Sequence, residues 1–216
     1  MATFIATINK VLSRLREPQV SVIDNDYTRL IARFVNEAKE EVEDSWNWTV
    51  LRSTVSVTTS AGDNTYNLTG TTNRSRLLYA FNSTRKYEIF NAGSYNNSKL
   101  IELSNAQQQS PTHFDVYGID SSTGELQVRL YPTPDAAYTL NFYCVIPQGE
   151  LSTTTTEIKV PDNPIVQLAY GLAIRERGED KGQLSSFQDE MYLLALGKAI
   201  SQDEALHQDE TTWHPT

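Results

Sequence analysis

Apolar residues recur with a helical period at both ends of the chain and with a period of two through its middle. Near the N-terminus, Phe4, Ile5, Ile8, Val11, Leu12 and Leu15 follow the spacing of one buried helix face, with Thr3 as a candidate N-cap. Past a loop containing Pro18, Asp26 is a second candidate cap. Tyr27, Leu30, Ile31, Phe34, Val35, Ala38, Val42 and Trp46 then form a second stripe. The opposite face of that helix carries Glu37, Lys39, Glu40, Glu41, Glu43 and Asp44. A solvated face is the commoner meaning of such a run. The sharper meaning, kept for Glu37, Glu40, Glu41 and Asp44, is a face turned into a channel or toward a neighbouring subunit.

At Trp48 the period shortens. Leu51, Ser53, Val55 and Val57 alternate with polar partners, Ala61-Gly62-Asp63-Asn64 reads as a turn, and Tyr66 and Leu68 as the return strand of a hairpin. Residues 76–82 and 86–90 are two further strand candidates, and 91–110 is polar and ambiguous. A second hairpin is expected from Leu126, Val128 and Leu130, a turn at Pro132-Thr133-Pro134-Asp135, and Tyr138, Leu140, Phe142 and Cys144. Pro161-Asp162-Asn163-Pro164 reopens helix, with Ile165, Leu168, Ala169, Leu172 and Ala173 as its buried face. Residues 178–182 break that helix, and a last one follows with Leu184, Phe187, Met191, Leu194, Ala195 and Ile200 on one side. Neither helical end has enough apolar residues to stand alone. The predicted class is therefore α+β: a bundle of N-terminal (1–48) and C-terminal (161–201) helices, an inserted antiparallel β sandwich or barrel (49–160), and a loose acidic arm (202–216).

Charge placement sharpens this picture. The net charge is −9, and residues 131–216 hold 5 basic and 13 acidic side chains, so nearly all of the excess lies there. No Lys or Arg follows Lys198. Tight DNA binding needs clustered cations, and this balance is the opposite. One cysteine, Cys144, leaves no internal disulfide and fits assembly in a reducing compartment. The absence of a signal-like N-terminus and of a spanning apolar run leads to the expectation of a soluble protein, with no membrane partner, made in a host cytoplasm.

Sites of chemistry are not evident. No phosphate-binding loop, nucleophile elbow or zinc-protease motif occurs, His113, His207 and His214 lack metal-ligand spacing, and no cofactor is expected. Cys144 reads as a small buried hydrophobe. The acidic pairs Glu40/Asp44 and Glu176/Asp180 are ordinary on solvated helices, so the expectation is no enzyme, with a cell-wall hydrolase as the enzymatic rival. Tyr79, Tyr87, Tyr95 and Tyr117 would have to form an exposed platform for a glycan-binding rival. Trp46 and Trp48 straddle the helix-to-strand junction, Trp46 continuing the core stripe and read as the lock. Trp213 stands in a polar acidic tail with Gln208, Asp209, Glu210 and His214, a candidate anchor for a partner groove.

The order of these signals resembles a phage family, the head-to-tail adaptors of short-tailed phages, including the tail tubular protein A type. Four stretches carry the resemblance: Glu41-Val42-Glu43-Asp44-Ser45-Trp46-Asn47-Trp48; Thr54 to Leu68; Leu130-Tyr131-Pro132-Thr133-Pro134-Asp135 with the strand Tyr138 to Val145; and Val160-Pro161-Asp162-Asn163-Pro164. The resemblance implies a structural virion protein of the phage neck, a ring of about twelve copies beneath the portal. In that arrangement double-stranded DNA passes through without specific binding, and tail nozzle or tail fibre proteins attach below. The arm (Gln208, Asp209, Glu210, Trp213, His214) would grip the portal. A nozzle or other tail subunit is the structural alternative.

Overall fold

The computed structural model describes residues 1–93, 99, 107–178 and 183–206. The chain divides into two compact units, Met1–Leu51 with Gln148–Thr216, and Arg52–Pro147. Both classes of element are present, so the protein is mixed α+β.

The first unit holds helices α1 (Phe4–Arg14), α2 (Asp26–Ser45), α3 (Asp162–Arg177) and α4 (Gln183–Glu204). Thr3 caps α1, its Oγ1 accepting from the Ala6 amide at 3.3 Å. The cap of α2 is Asn25, one residue before the expected Asp26, with its Oδ1 accepting from the Thr28 amide at 2.8 Å. α3 closes on Gly178, whose φ of 63° places it in the left-handed region that a helix C-terminus favours in glycine. It packs on α1, α2 and α4. Lys10 pairs with Asp162, Arg14 donates to Gln167 at 2.6 Å and Arg177 bonds Glu17 at 2.7 Å, so polar bonds at its rim tie α3 to α1 and the loop after it.

The buried stripe of α4 is rotated from the one expected. Tyr192, Ala195, Ala199 and Asp203 face inward, while Phe187 and Leu194 are 54% and 69% exposed. Ala195 belongs to both the expected and the observed stripe, and it and Ala199 are small enough to let the helix lie close to its neighbours. The helix runs to Glu204, so residues 202–204, expected in the loose arm, are helical and Asp203 is buried.

The second unit is one seven-stranded sheet: β1 (Arg52–Thr58), β2 (Thr65–Asn67), β3 (Arg76–Asn82), β4 (Tyr87–Asn91), β5 (His113–Ile119), β6 (Leu126–Tyr131) and β7 (Thr139–Val145), in the order β1-β7-β3-β4-β5-β6-β2. Neither expected hairpin forms: β1 pairs with β7 and β2 with β6. The links 59–64 and 132–138 exceed the few residues a tight hairpin uses. They bond each other instead, Thr59 N to Tyr138 O and Gly62 N to Pro134 O, both at 2.9 Å. The sheet is also not wholly antiparallel, since β4 and β5 run parallel. The rings of Phe114 on β5 and Phe142 on β7 meet edge-on at 5.8 Å. Those strands are three positions apart, about 14 Å in a flat sheet, so the sheet curls around its core. Val55, Leu68, Ala80, Ile89, Leu130 and Leu140 fill the same cluster.

Candidate functional site

In the helical unit, three polar side chains of α2 do what its apolar neighbours cannot. Asn36, Lys39 and Glu43 lie in phase with Ala32, Val35 and Val42, so the helix carries them inward. Lys39 and Glu43, expected on the solvated face, are both 0% exposed and form an ion pair at 3.5 Å. Lys39 Nζ also donates to the carbonyls of Gln148 (2.9 Å) and Gly149 (2.8 Å), and Glu43 Oε1 accepts from the Gln148 amide at 3.2 Å. Asn36 closes a two-way bond with Leu151, donating to its carbonyl at 3.0 Å and accepting from its amide at 2.9 Å. The Gln148 side chain then bonds Glu157 O and Lys159 N. Irregular backbone cannot be buried with open polar groups, and these side chains satisfy it. Residues 148–160, expected within the β insertion, therefore group with the helices.

The junction after α2 differs from expectation in its tryptophans. Trp48, 1% exposed, is the core residue, its indole N–H donating to Val42 O at 2.6 Å. Trp46 is half-buried and donates to Asp203 Oδ2 at 3.1 Å. The same carboxylate oxygen accepts from Thr49 N (3.2 Å) and Thr49 Oγ1 (3.1 Å). A residue expected in a loose acidic tail is thus the anchor that fixes the last turn of α4 at the helix-to-strand switch. Ser45 and the extended backbone of Trp46 end α2, which frees both indoles to turn back.

Of the acidic face, Glu37, Glu41 and Asp44 are exposed and Glu40 is half-buried. Glu37 and Glu41 rim a groove of about 450 Å³ between α2, α3 and α4, floored by Leu168, Leu172 and Leu193. Tyr192 borders it, and burial, with the Glu41 carboxylate nearby, pushes its phenol up to about 12. Leu193 is itself 62% exposed and Asp189, also on the rim, pairs with Arg175. Gln208, Asp209, Glu210, Trp213 and His214 lie outside the described residues, as do Asp180, Tyr95 and His207.

In the β unit, Cys144 is fully buried, and desolvation raises its thiol to about 11, unsuited to nucleophilic work. The tyrosines expected of a glycan platform do not share one setting. Tyr79 stacks on Tyr143 at 4.2 Å, Tyr117 lies beneath the Arg129 guanidinium at 3.9 Å, and Tyr87 directs its hydroxyl to Ser110 and Pro111. Phe90, Tyr117 and Ile119 are exposed on β4 and β5. Among the described residues, no group of His, Cys, Asp and Glu could hold a metal ion, and no helix is long and apolar enough to cross a membrane.

A family model described as SU10 adaptor protein matches residues 2–214. No curated protein matches the chain.

Proposed function

The chain belongs to the SU10 adaptor protein family, phage head-to-tail adaptors, and from that membership we propose that it is a ring-forming, non-enzymatic part of the phage neck joining portal to tail. The observation that carries this reading is the match itself: it runs from residue 2 to 214 and so takes in both units and the C-terminal segment. In the proposed ring, about twelve copies pack through a bundle formed by the helices of both chain ends and extend the DNA channel. With a net charge of −9, the surface releases few counterions on meeting DNA and lets it slide. The segment from Gln208 to His214, with Trp213 as its aromatic anchor, grips the portal. Exposed Phe90, Tyr117 and Ile119 are the part of the β unit we assign to tail proteins. Assembly takes place in the host cytoplasm.

The direct test images purified protein mixed with its portal by electron microscopy, with the full chain and with one truncated after Leu206. The truncation point follows the helix end, since cutting at 202 would also remove Asp203. A ring stacked on the portal that is lost on truncation supports adaptor and arm together. No association of the full chain overturns the portal assignment and leaves a tail subunit as the alternative.

A further inference from the structure

The solvent side of α2 carries a charge sequence that bonds within the chain use little among the described residues. Arg29, Arg33, Glu37 and Glu41 follow one another four residues apart along a single ridge of the helix, two cations and then two anions over about 18 Å. All four are exposed. Arg29 makes only an exposed contact with Asp26 at 3.2 Å, and among the described residues Arg33, Glu37 and Glu41 make no ion pair. The arrangement is a poor one for an isolated helix. Arg before Glu at this spacing is the weaker order. Asp44 also stands at the negative end of the helix dipole, and no basic residue occupies the last turn.

Apolar surface adjoins the same anions. The groove behind Glu37 and Glu41 is lined by Leu168, Leu172 and Leu193, the last 62% exposed. A fitting occupant brings two cations one helical turn apart with an aliphatic side chain next to them. The cationic half of α2 has that composition: Arg29 and Arg33, with half-buried Leu30 between them and exposed Val22 in the preceding loop. The chain's own acidic tail has the wrong sign for this rim.

We propose that a second copy of the chain seats its Arg29–Arg33 half on the Glu37/Glu41 groove of the first. In a ring the Arg29–Arg33 patch of each copy meets the Glu37/Glu41 patch of the next, a heterologous contact that repeats from copy to copy, whereas an antiparallel two-fold pairing of the same ridges would stop at a dimer. The inference rests on the self-assembly proposed above and names the faces that meet.

Sedimentation velocity at low salt, from micromolar to near-millimolar protein, tests it with Arg29→Glu/Arg33→Glu, Glu37→Arg/Glu41→Arg and the chain carrying all four changes. The wild type is expected to pass beyond a dimer. Each double variant alone weakens association about tenfold or more, an equimolar mixture of the two regains assembly because every reversed patch meets its opposite on the other variant, and the four-fold chain, with the ladder inverted, regains it alone. Circular dichroism confirms that each variant folds, and recovery in the four-fold chain separates lost charge matching from lost folding. Should wild type and double variants assemble alike, this interface is wrong while the ring reading stands. A wild type that stays monomeric both alone and with the portal overturns the two together.

Discussion

Removing one partner of the Lys39–Glu43 pair is the sharpest test of how the helical unit is held. In Lys39→Met, the Glu43 carboxylate stays at 0% exposure without its counter-charge, and the carbonyls of Gln148 and Gly149 lose their donor. Breaking a buried pair costs about 3–5 kcal/mol, and each orphaned carbonyl adds about 1–3 kcal/mol where water cannot reach it. Part of this is recovered as the loop opens to solvent, so a net loss of about 4 kcal/mol is expected. That is a large share of the roughly 5–15 kcal/mol that holds a domain together. Lys39→Met with Glu43→Leu removes both charges and should lie closer to the wild type than Lys39→Met alone, with a coupling energy of about 2 kcal/mol or more. The assay is urea unfolding followed by tryptophan fluorescence, since Trp46 and Trp48 both sit at the end of α2. A Lys39→Met protein within about 0.5 kcal/mol of wild type would sink the reasoning, because such a value is typical of an exposed pair.

The Asp203 anchor makes a second prediction. Asp203→Ala strips acceptors from Trp46 and Thr49, should cost about 2 kcal/mol, and should raise amide exchange in the last turn of α4 without affecting α1. Trp48→Phe keeps the ring but loses the bond to Val42 O, for an expected loss of about 1–2 kcal/mol by the same unfolding assay. Raised acid groups also give the protein an alkaline limit. The Cys144 thiol ionises near 11 when folded and near 9 when unfolded, so its contribution is complete below pH 9 and is lost as pH climbs toward 11. Cys144→Ala should flatten that part of a stability-versus-pH curve, while the Tyr192 phenol, raised to about 12, keeps a further slope above pH 10.

How far the fold could be read ahead depended on what each signal measures. The stripes of α1 and α2 were legible because large apolar residues mark their buried faces. Lys39 and Glu43 read as solvated by charge type, whereas helical phase places Lys39 one turn beyond Val35 and in register with the core. The same bias toward bulk rotated α4, where alanines and a carboxylate do the packing. Residues that form strands could be recognised by alternation, except β5, whose Val116, Tyr117 and Ile119 face water and hide the pattern. Strand partners could not be recognised, since pairing of β1 with β7 depends on contacts some ninety positions apart along the chain. Turn residues then suggested hairpins that two cross-bonded loops replace. The groove behind Glu37 and Glu41 exists only once α3 and α4 are in place, so no linear pattern announces it.

The pairing of Arg52 with Val145 carries a consequence for how such a protein can change. The β unit begins at Arg52 and ends at Pro147, and facing residues of paired strands stand about 5 Å apart. Ninety-six residues therefore leave and rejoin the helical unit through a gap that a short turn could close. To the helices the insertion is a loop of negligible span, whatever its length. A chain built this way can exchange, enlarge or lose what is inserted between those two positions while the helical part keeps its own fold, as if a paragraph were replaced inside a finished text.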